Sequence, residues 1–316
     1  VALLTALPLA AARDLGRAYG VELTRIEPLA SGSVNSNFRA ASADGRELFA
    51  RLYEEQGPDG AESELRLLAA LSRGGSPVAA ALPRTAALPL HAGKPFVVFP
   101  WVEGEILCLA RVDAGACRAV GRALAGVHLA TASVPRLGPG RFGPSDMLAR
   151  LARVERETTR PELLADVARV RALYARLVPA RDASLPSGIV HGDLFRDNVL
   201  WQKGELAALL DFESVFHGPF VYDLMVTIAA WCYRDAFDVS LARALVDGYV
   251  GARPLTPAER ASVRVEGALA CLRFVTSRIT DFELRAAPGA RPARDFRRFL
   301  ARLEAIEAGL LDPAFG

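Results

Sequence analysis

The apolar positions of this chain change their period about a third of the way along. Up to about Gly104 they fall in alternating or short continuous runs, the signature of strands. Beyond it they recur at helical spacing. In the first stretch Leu23 to Leu29 reads as a strand. Phe38 to Ala41 and Leu48 to Tyr53 read as a hairpin turned at Asp44-Gly45. Phe96-Val97-Val98-Phe99 follows a turn at Ala92-Gly93, and its unbroken apolar run predicts burial on both faces. Helices are expected from about Pro8 to Tyr19, stopped by Gly20, and from about Ala61 to Leu71, with Leu65, Leu68 and Leu71 on one face. Ser31 to Asn37 is a loop of small polar residues.

In the second stretch, helices are expected over Ala114 to Thr131 and Pro161 to Leu177, separated by a Gly- and Pro-rich loop from Pro135 to Ser145. Two short strands, Val199 to Trp201 and Leu206 to Leu210, turn at Lys203-Gly204. Further helices are expected at about 223–233, 239–250, 257–284 and 293–309. The order predicts an α+β chain with a small antiparallel-sheet lobe over 1–101 and a larger helical lobe over 102–316. A crevice between two such lobes is a favoured place for a ligand.

Composition narrows the function classes. At 316 residues, roughly half of them hydrophobic, the chain is large enough to build its core without staples. A net charge of +2 gives no electrostatic case for nucleic acid or a membrane surface as partner. No apolar run approaches the roughly 20 residues that span a bilayer. The apolar start, Val1 to Ala12, lacks a preceding basic segment and reads as helix rather than as a leader. Cys108, Cys117, Cys232 and Cys271 form no Cys-x-x-Cys pair, which argues against zinc. They lie in apolar runs and suggest buried, reduced thiols in a cytoplasmic protein, monomer or homodimer. Almost every basic residue is arginine; Lys94 and Lys203 are the only lysines.

The chemistry is concentrated after Ile189-Val190. His191-Gly192-Asp193-Leu194-Phe195-Arg196-Asp197-Asn198 places an aspartate and an asparagine five apart. That is the spacing of the kinase catalytic loop, with glycine for its arginine. One hairpin later comes Leu209-Leu210-Asp211-Phe212-Glu213, at the position of the kinase metal-binding aspartate. Phosphoryl transfer from ATP needs a carboxylate to orient and deprotonate a hydroxyl, and hard oxygens to hold Mg²⁺. Asp193 suits the first role; Asn198 and Asp211 suit the second. His191 reads as scaffold. A lone Asp-x-x-x-x-Asn is also a common turn, and only the ordered set of elements raises it above one.

His-Gly-Asp-Leu-x-x-x-Asn followed by Asp-Phe-Glu resembles the aminoglycoside phosphotransferase and choline kinase superfamily, over nearly the whole chain. The resemblance implies a bilobal protein-kinase-like fold and transfer of a γ-phosphoryl group from ATP, with Mg²⁺, to a hydroxyl of a small molecule. Gly32-Ser33-Val34-Asn35-Ser36-Asn37-Phe38, Tyr222-Asp223-Leu224, Trp231-Cys232, and Leu272-Arg273-Phe274 through Ser277-Arg278 resemble the bacterial homoserine kinases of that superfamily. The resemblance makes homoserine the leading acceptor. The alternatives are choline or ethanolamine, an aminoglycoside-type antibiotic, and a catalytically silent nucleotide-binding protein.

On this resemblance the loop with Ser31, Gly32, Ser33, Asn35 and Ser36 covers the nucleotide phosphates, where small residues let backbone N–H groups approach. The third strand should carry a phosphate-holding lysine paired to a glutamate on the next helix. It carries Arg51 instead, a departure that homoserine kinases share, with Glu64 or Glu62 as partner. Pro100, Trp101 and Val102 form the hinge for adenine, and Asp223 braces the catalytic loop or caps its own helix. Candidates for the acceptor pocket are Phe195, Arg196, Glu213, Trp231, Arg273 and Arg278, with Ser277 and Asp281 beside them. The two arginines suit a carboxylate, whereas Trp231 with acidic neighbours suits a quaternary ammonium.

Overall fold

The tight turns are where the sequence places them: Gly45 and Gly93 take φ of 85° and 76°, and Lys203-Gly204 takes 51° and 84°. A computed structural model of the chain describes residues 5–29, 34–131, 134, 140, 142–286, 292 and 294–316. They group into two units, one reaching Glu105 and including Ala207–Leu209, the other made of Ile106–Leu206 and Leu210–Gly316.

The first unit begins with α1 (Leu9–Gly16) and a 3₁₀ turn, Arg17–Tyr19, that ends at left-handed Gly20. Then come β1 (Leu23–Pro28), β2 (Ser36–Ser42), β3 (Glu47–Leu52), α2 (Pro58–Arg73), β4 (Leu90–His91) and β5 (Lys94–Pro100). The strands form one antiparallel sheet in the order β1-β2-β3-β5-β4. Arg51 of β3 lies opposite Asn37 on one side and Val97 on the other. Alternation sends Phe38, Ala40, Leu48, Ala50 and Leu52 into one core with Ala12 and Tyr19. Phe96 to Phe99 are all buried, because α2 packs Leu65, Leu67, Leu68 and Leu71 as its own inward face on the β5 side. Ser36 and Asn37 belong to β2, so the strand starts two residues earlier than the apolar pattern indicates.

The second unit follows the two-residue strand β6 (Glu105–Ile106). The elements that follow in the chain are α3 (Ala114–Ala130), α4 (Pro144–Glu157), α5 (Pro161–Leu177), β7 (Ser187–Val190), β8 (Val199–Gln202), β9 (Glu205–Leu209, whose last three residues group with the first unit), β10 (Phe216–Pro219), α6 (Phe220–Trp231), α7 (Val239–Val250), α8 (Pro257–Ala261), α9 (Val263–Arg278), α10 (Arg297–Glu307) and α11 (Asp312–Phe315). Helices α6 and α9 are buried on every side: Val221 through Trp231 and Glu266 through Thr276 are all inside. They pack on each other, with α5 and α10 against α9. The buried Glu266 is neutralised by Arg181 through two parallel bonds of 2.7 and 2.6 Å.

Several elements depart from the expectation. Helix α4 occupies the end of the anticipated loop and continues to Glu157; Pro144 starts it, and Met147, Leu151 and Val154 form its buried stripe. The expected helix over 257–284 is broken at Ser262 and ends in a π-helical turn, Ile279–Glu283. Strands β7 and β10 pair antiparallel, Val190 opposite Phe216, although Phe216-His217-Gly218-Pro219 carries no strand pattern. Cys117, Cys232 and Cys271 are buried, but Cys108 is exposed, because it lies in a turn segment rather than in a packed helix. Among the described residues, no helix is long and apolar enough to cross a membrane.

Helices α3 and α7 approach so closely that two glycines are required. A Cβ on Gly121 would stand 2.0 Å from the Leu245 carbonyl oxygen, and one on Gly248 would stand 2.1 Å from that of Arg118. Backbone cannot yield as a side chain does, so even a methyl group forces the helices apart. We expect Gly121→Ala and Gly248→Ala each to cost about 1–3 kcal/mol or more, read as a fall in the denaturation midpoint. Gly126→Ala on the same helix, where an added Cβ meets nothing within 4 Å, should be neutral or stabilising.

Candidate active site

The loop from His191 to Asn198 is held from beneath by one buried carboxylate. Asp223, in the first turn of α6, accepts the backbone N–H of His191 at 2.7 Å and of Gly192 at 2.8 Å. It also accepts Nε2–H of His128 at 3.0 Å, while the other ring nitrogen of His128 accepts the Tyr249 hydroxyl at 2.7 Å. Arg253 donates to that hydroxyl at 3.1 Å. Burial raises the pKa of Asp223, but the bonds from His128 and the loop amides outweigh it, and the carboxyl lies below its ordinary value. Burial lowers the pKa of His128, so a neutral imidazole donates to a carboxylate here. Gly192 takes φ 73°, and a Cβ there would stand 3.0 Å from the Ser214 carbonyl oxygen. Glycine in place of the kinase arginine therefore follows from the turn. Asp223 is not the cap of α6; Pro219 occupies that position.

His191 has the scaffold position expected of it. Its Nε2 lies 3.0 Å from the Leu210 carbonyl oxygen, and its Nδ1 accepts the Asp193 N–H at 3.3 Å. Its ring leans on Phe212, with centroids 4.7 Å apart. So His191 ties the loop to the end of β9, where Asp211 follows. Trp231 has 0% exposure and donates its indole N–H to the Leu194 carbonyl at 3.0 Å. That corrects the reading of Trp231 as a cage for a cation, because a ring sealed under the loop meets no ligand.

Asp193 is 28% exposed and bonded through Oδ1 to Nη1 of Arg273 at 2.9 Å. Burial raises its pKa, Arg273 opposes that, and the nearby charge of Asp211 adds to the rise. A carboxylate of raised basicity is suited to receive a proton. Asn198 donates its amide N–H to the Asp193 carbonyl at 2.8 Å, which assigns its oxygen as the free end. Asp211 takes a left-handed φ of 61°, uncommon for a residue with a side chain. Its Oδ1 is buried with no hydrogen-bond partner among the described residues. An ionised oxygen without a donor is costly unless a cation meets it, so this donor set fits a hard metal ion. Among the described residues, no three His, Cys, Asp or Glu side chains gather as a metal cage. Mg²⁺ in such sites is held by one or two carboxylates together with substrate phosphates.

In the first unit, Arg51 lies 3.7 Å from Glu64 and donates Nε–H to Asn37 Oδ1 at 3.1 Å. Its guanidinium stands 5.5 and 5.7 Å from the Phe49 and Tyr53 rings. Glu64 also accepts the Tyr53 hydroxyl at 3.0 Å. The alternative partner, Glu62, is bonded to Arg84. Lys94 is bonded to Glu54 and to Thr5. Ser31, Gly32 and Ser33 lie outside the described residues. Asn35 and Ser36 are buried, and their side chains bond the Glu54 backbone and carboxylate. The start of β2 turns those side chains inward, and Ser36 lies opposite Leu52 in the β2–β3 ladder. Pro100 has no N–H, and that of Trp101 is engaged with the Glu47 carbonyl at 3.3 Å. Val102 is left as the hinge residue with a backbone N–H to offer.

The acceptor candidates divide. Phe195 packs its ring on Phe274 and Phe299, at 4.9 and 6.3 Å. Arg196 donates to the Leu107 carbonyl at 3.2 Å. Glu213 lies in the 3₁₀ turn Phe212–Ser214, directly after Asp211. Arg273 reaches Asp193 itself. Arg278 donates to the Asp295 carbonyl at 3.2 Å and stands 4.4 Å over Phe299. The sequence reading missed His128, Tyr249 and Arg253. With four histidines in the chain, His128 within the apolar face of α3 was the available signal.

A homoserine kinase of Methylobacterium nodulans is 37% identical over 202 residues, 63% of this chain and 61% of that protein. A homoserine kinase of Methylorubrum populi is 34% identical over 282 residues, 85% of this chain and 84% of that protein. The solved structure of an amicoumacin kinase, bound to AMP-PNP, Ca²⁺ and its antibiotic, superposes with a TM-score of 0.69 at 16% identity, covering 90% of this chain and 88% of that one. That likeness establishes the shared protein-kinase-like phosphotransferase fold. The model of the phosphotransferase enzyme family matches residues 25–257, and the chain belongs to that family.

Proposed function

We propose that the chain is a homoserine kinase: it transfers the γ-phosphoryl group of ATP to the hydroxyl of homoserine, in the cytoplasm. The observation that carries the chemistry is the pairing of Asp193, raised in basicity, with the donorless buried oxygen of Asp211. Similarity to a homoserine kinase over 85% of this chain and 84% of that protein supports the acceptor.

On this reading the acceptor hydroxyl binds Asp193 Oδ2, the carboxylate oxygen that Arg273 does not engage. As its oxygen bonds to the γ-phosphorus, the bond from that phosphorus to the bridging oxygen breaks and ADP leaves. The hydroxyl proton passes to Asp193. No phosphoenzyme is formed. Asp211 and the Asn198 oxygen would hold Mg²⁺, which supplies charge neutralisation on the phosphates. Arg51, steadied by Glu64, holds the α- and β-phosphates, and Val102 offers its backbone to adenine.

Three outcomes follow. ADP release should be fastest with homoserine in a panel that includes choline, ethanolamine and an aminoglycoside; a preference for any of these others removes the acceptor assignment. Asp193→Asn, isosteric and unable to take the proton, should lower kcat by about a hundredfold to ten-thousandfold while ATP still binds, as seen by titration with a fluorescent nucleotide. Arg51→Met should raise KM for ATP about tenfold to a hundredfold, the worth of one bond to a charged group. If KM for ATP stays unchanged, Arg51 is a packing residue of β3 and nothing more.

A further inference from the structure

Arg273 is an unusual neighbour for a catalytic base. It is planted on the buried stretch of α9, Glu266 through Thr276, with its side chain 7% exposed. The guanidinium is gripped between two aromatic rings, 4.2 Å from the Phe142 centroid and 4.1 Å from that of Phe274. One edge bonds Asp193 Oδ1 at 2.9 Å and Ser214 Oγ at 3.4 Å. Stacking fixes the plane, so the fork is preorganised before any ligand arrives.

We propose that Arg273 determines acceptor specificity by charge, favouring hydroxyl substrates that carry a carboxylate close to the reacting hydroxyl and disfavouring those that carry only a cation there. This rests on the kinase reading and names the property by which its acceptor is chosen. An acceptor hydroxyl on Asp193 necessarily stands beside the guanidinium, because both touch the same carboxylate. A carboxylate a few bonds along the acceptor meets a fixed cation, which planar Arg recognises well. An ammonium in the same place meets like charge.

The positive field extends behind Arg273. The Phe274 ring stacks on Phe299 with centroids 4.9 Å apart. Arg278 and Arg302 both stand 4.4 Å from the Phe299 centroid. Neither pairs with a carboxylate among the described residues; their bonds go to the carbonyls of Asp295, Ala229 and Arg298. Burial, joined for Arg278 by the neighbouring guanidiniums, pushes both down to about 10. Beyond the Phe274 and Phe299 rings there thus stand two guanidiniums with no bonded carboxylate among the described residues, Arg278 being offset only in part by the charge of Asp295.

The experiment compares acceptors in matched pairs that differ by one carboxylate: homoserine with 3-amino-1-propanol, serine with ethanolamine, and glycerate with ethylene glycol. Rates of ADP release are measured for the wild-type protein, Arg273→Gln and Arg273→Lys. In the accepted pair, wild type should favour the acid by on the order of a hundredfold in kcat/KM, the worth of a charged bidentate contact. Arg273→Gln should lose most of that preference, KM for the acid rising far more than KM for its carboxyl-free partner, on top of any loss in kcat that both members share through the broken bond to Asp193. Arg273→Lys should recover part of it. If Arg273→Gln slows both members equally, the residue only positions Asp193 and the proposal is overturned. A wild type that prefers carboxyl-free members overturns it too and leaves kinase activity standing. A wild type that phosphorylates none of the six, nor any acceptor of the wider panel, sinks the kinase reading and this proposal with it.

Discussion

The site depends on a buried negative charge that never meets the chemistry. Asp223 is fully enclosed, and burying an ionised carboxylate costs several kcal/mol unless its oxygens are satisfied. Here three donors satisfy it: two consecutive loop amides and a neutral imidazole. Hydrogen bonds to a charged group contribute about 1.5–3 kcal/mol each, enough to offset the burial and to make the loop conformation part of the fold. The cost is met from far along the chain. His128 comes from α3, Tyr249 from α7, and Arg253 from the segment after it. The close approach of α3 and α7, permitted by Gly121 and Gly248, is what brings His128 and Tyr249 within bonding distance.

This arrangement explains why the loop needs His191 and Gly192 in that order. Two amides in succession can point at one carboxylate only if the chain turns sharply, and Gly192 at φ 73° supplies the turn. His191 then has its ring free to bridge the loop to Leu210, next to Asp211. Asp193 and Asp211 come from segments separated by a hairpin, and this imidazole links them, together with the bond from the Leu210 N–H to the Asn198 carbonyl at 2.9 Å. Trp231 completes the support by fixing Leu194 from below. The strain of a left-handed Asp211 is tolerable only where neighbours over-determine it.

Much of this was legible in the sequence because local rules act there. Turns of Asp-Gly and Lys-Gly, strand alternation and the Asp193, Asn198, Asp211 spacing need no knowledge of distant residues. Helix α4 was harder: its Pro144 and the preceding glycines read as loop, and its buried stripe is only three residues over two turns. The pairing of β7 with β10 was invisible, since Phe216 to Pro219 owes its strand form to its partner and not to its composition. The inward turn of Asn35 and Ser36 depended on Glu54, and the burial of Trp231 on α6 being enclosed on all sides. Each is a tertiary decision. Sequence spacing also could not choose between Glu62 and Glu64 for Arg51, because both lie on the first turns of α2 and only packing turns one inward.

The scarcity of lysine bears on how such a chain handles charge. A lysine at the third strand would act as a mobile, strongly hydrated point charge. Arg51 is planar, weakly hydrated, and already framed by Asn37, Phe49 and Tyr53. Arg273 is framed in the same manner, between Phe142 and Phe274. In both places the aromatic neighbours fix the plane of the guanidinium in advance. Less rotamer entropy is then lost when an anion arrives, and direction becomes as important as charge. The catalytic motif states which bond is made. On the reading proposed above, Arg273 sets where the acceptor's negative charge is received, and that property, not the motif, distinguishes one acceptor from another.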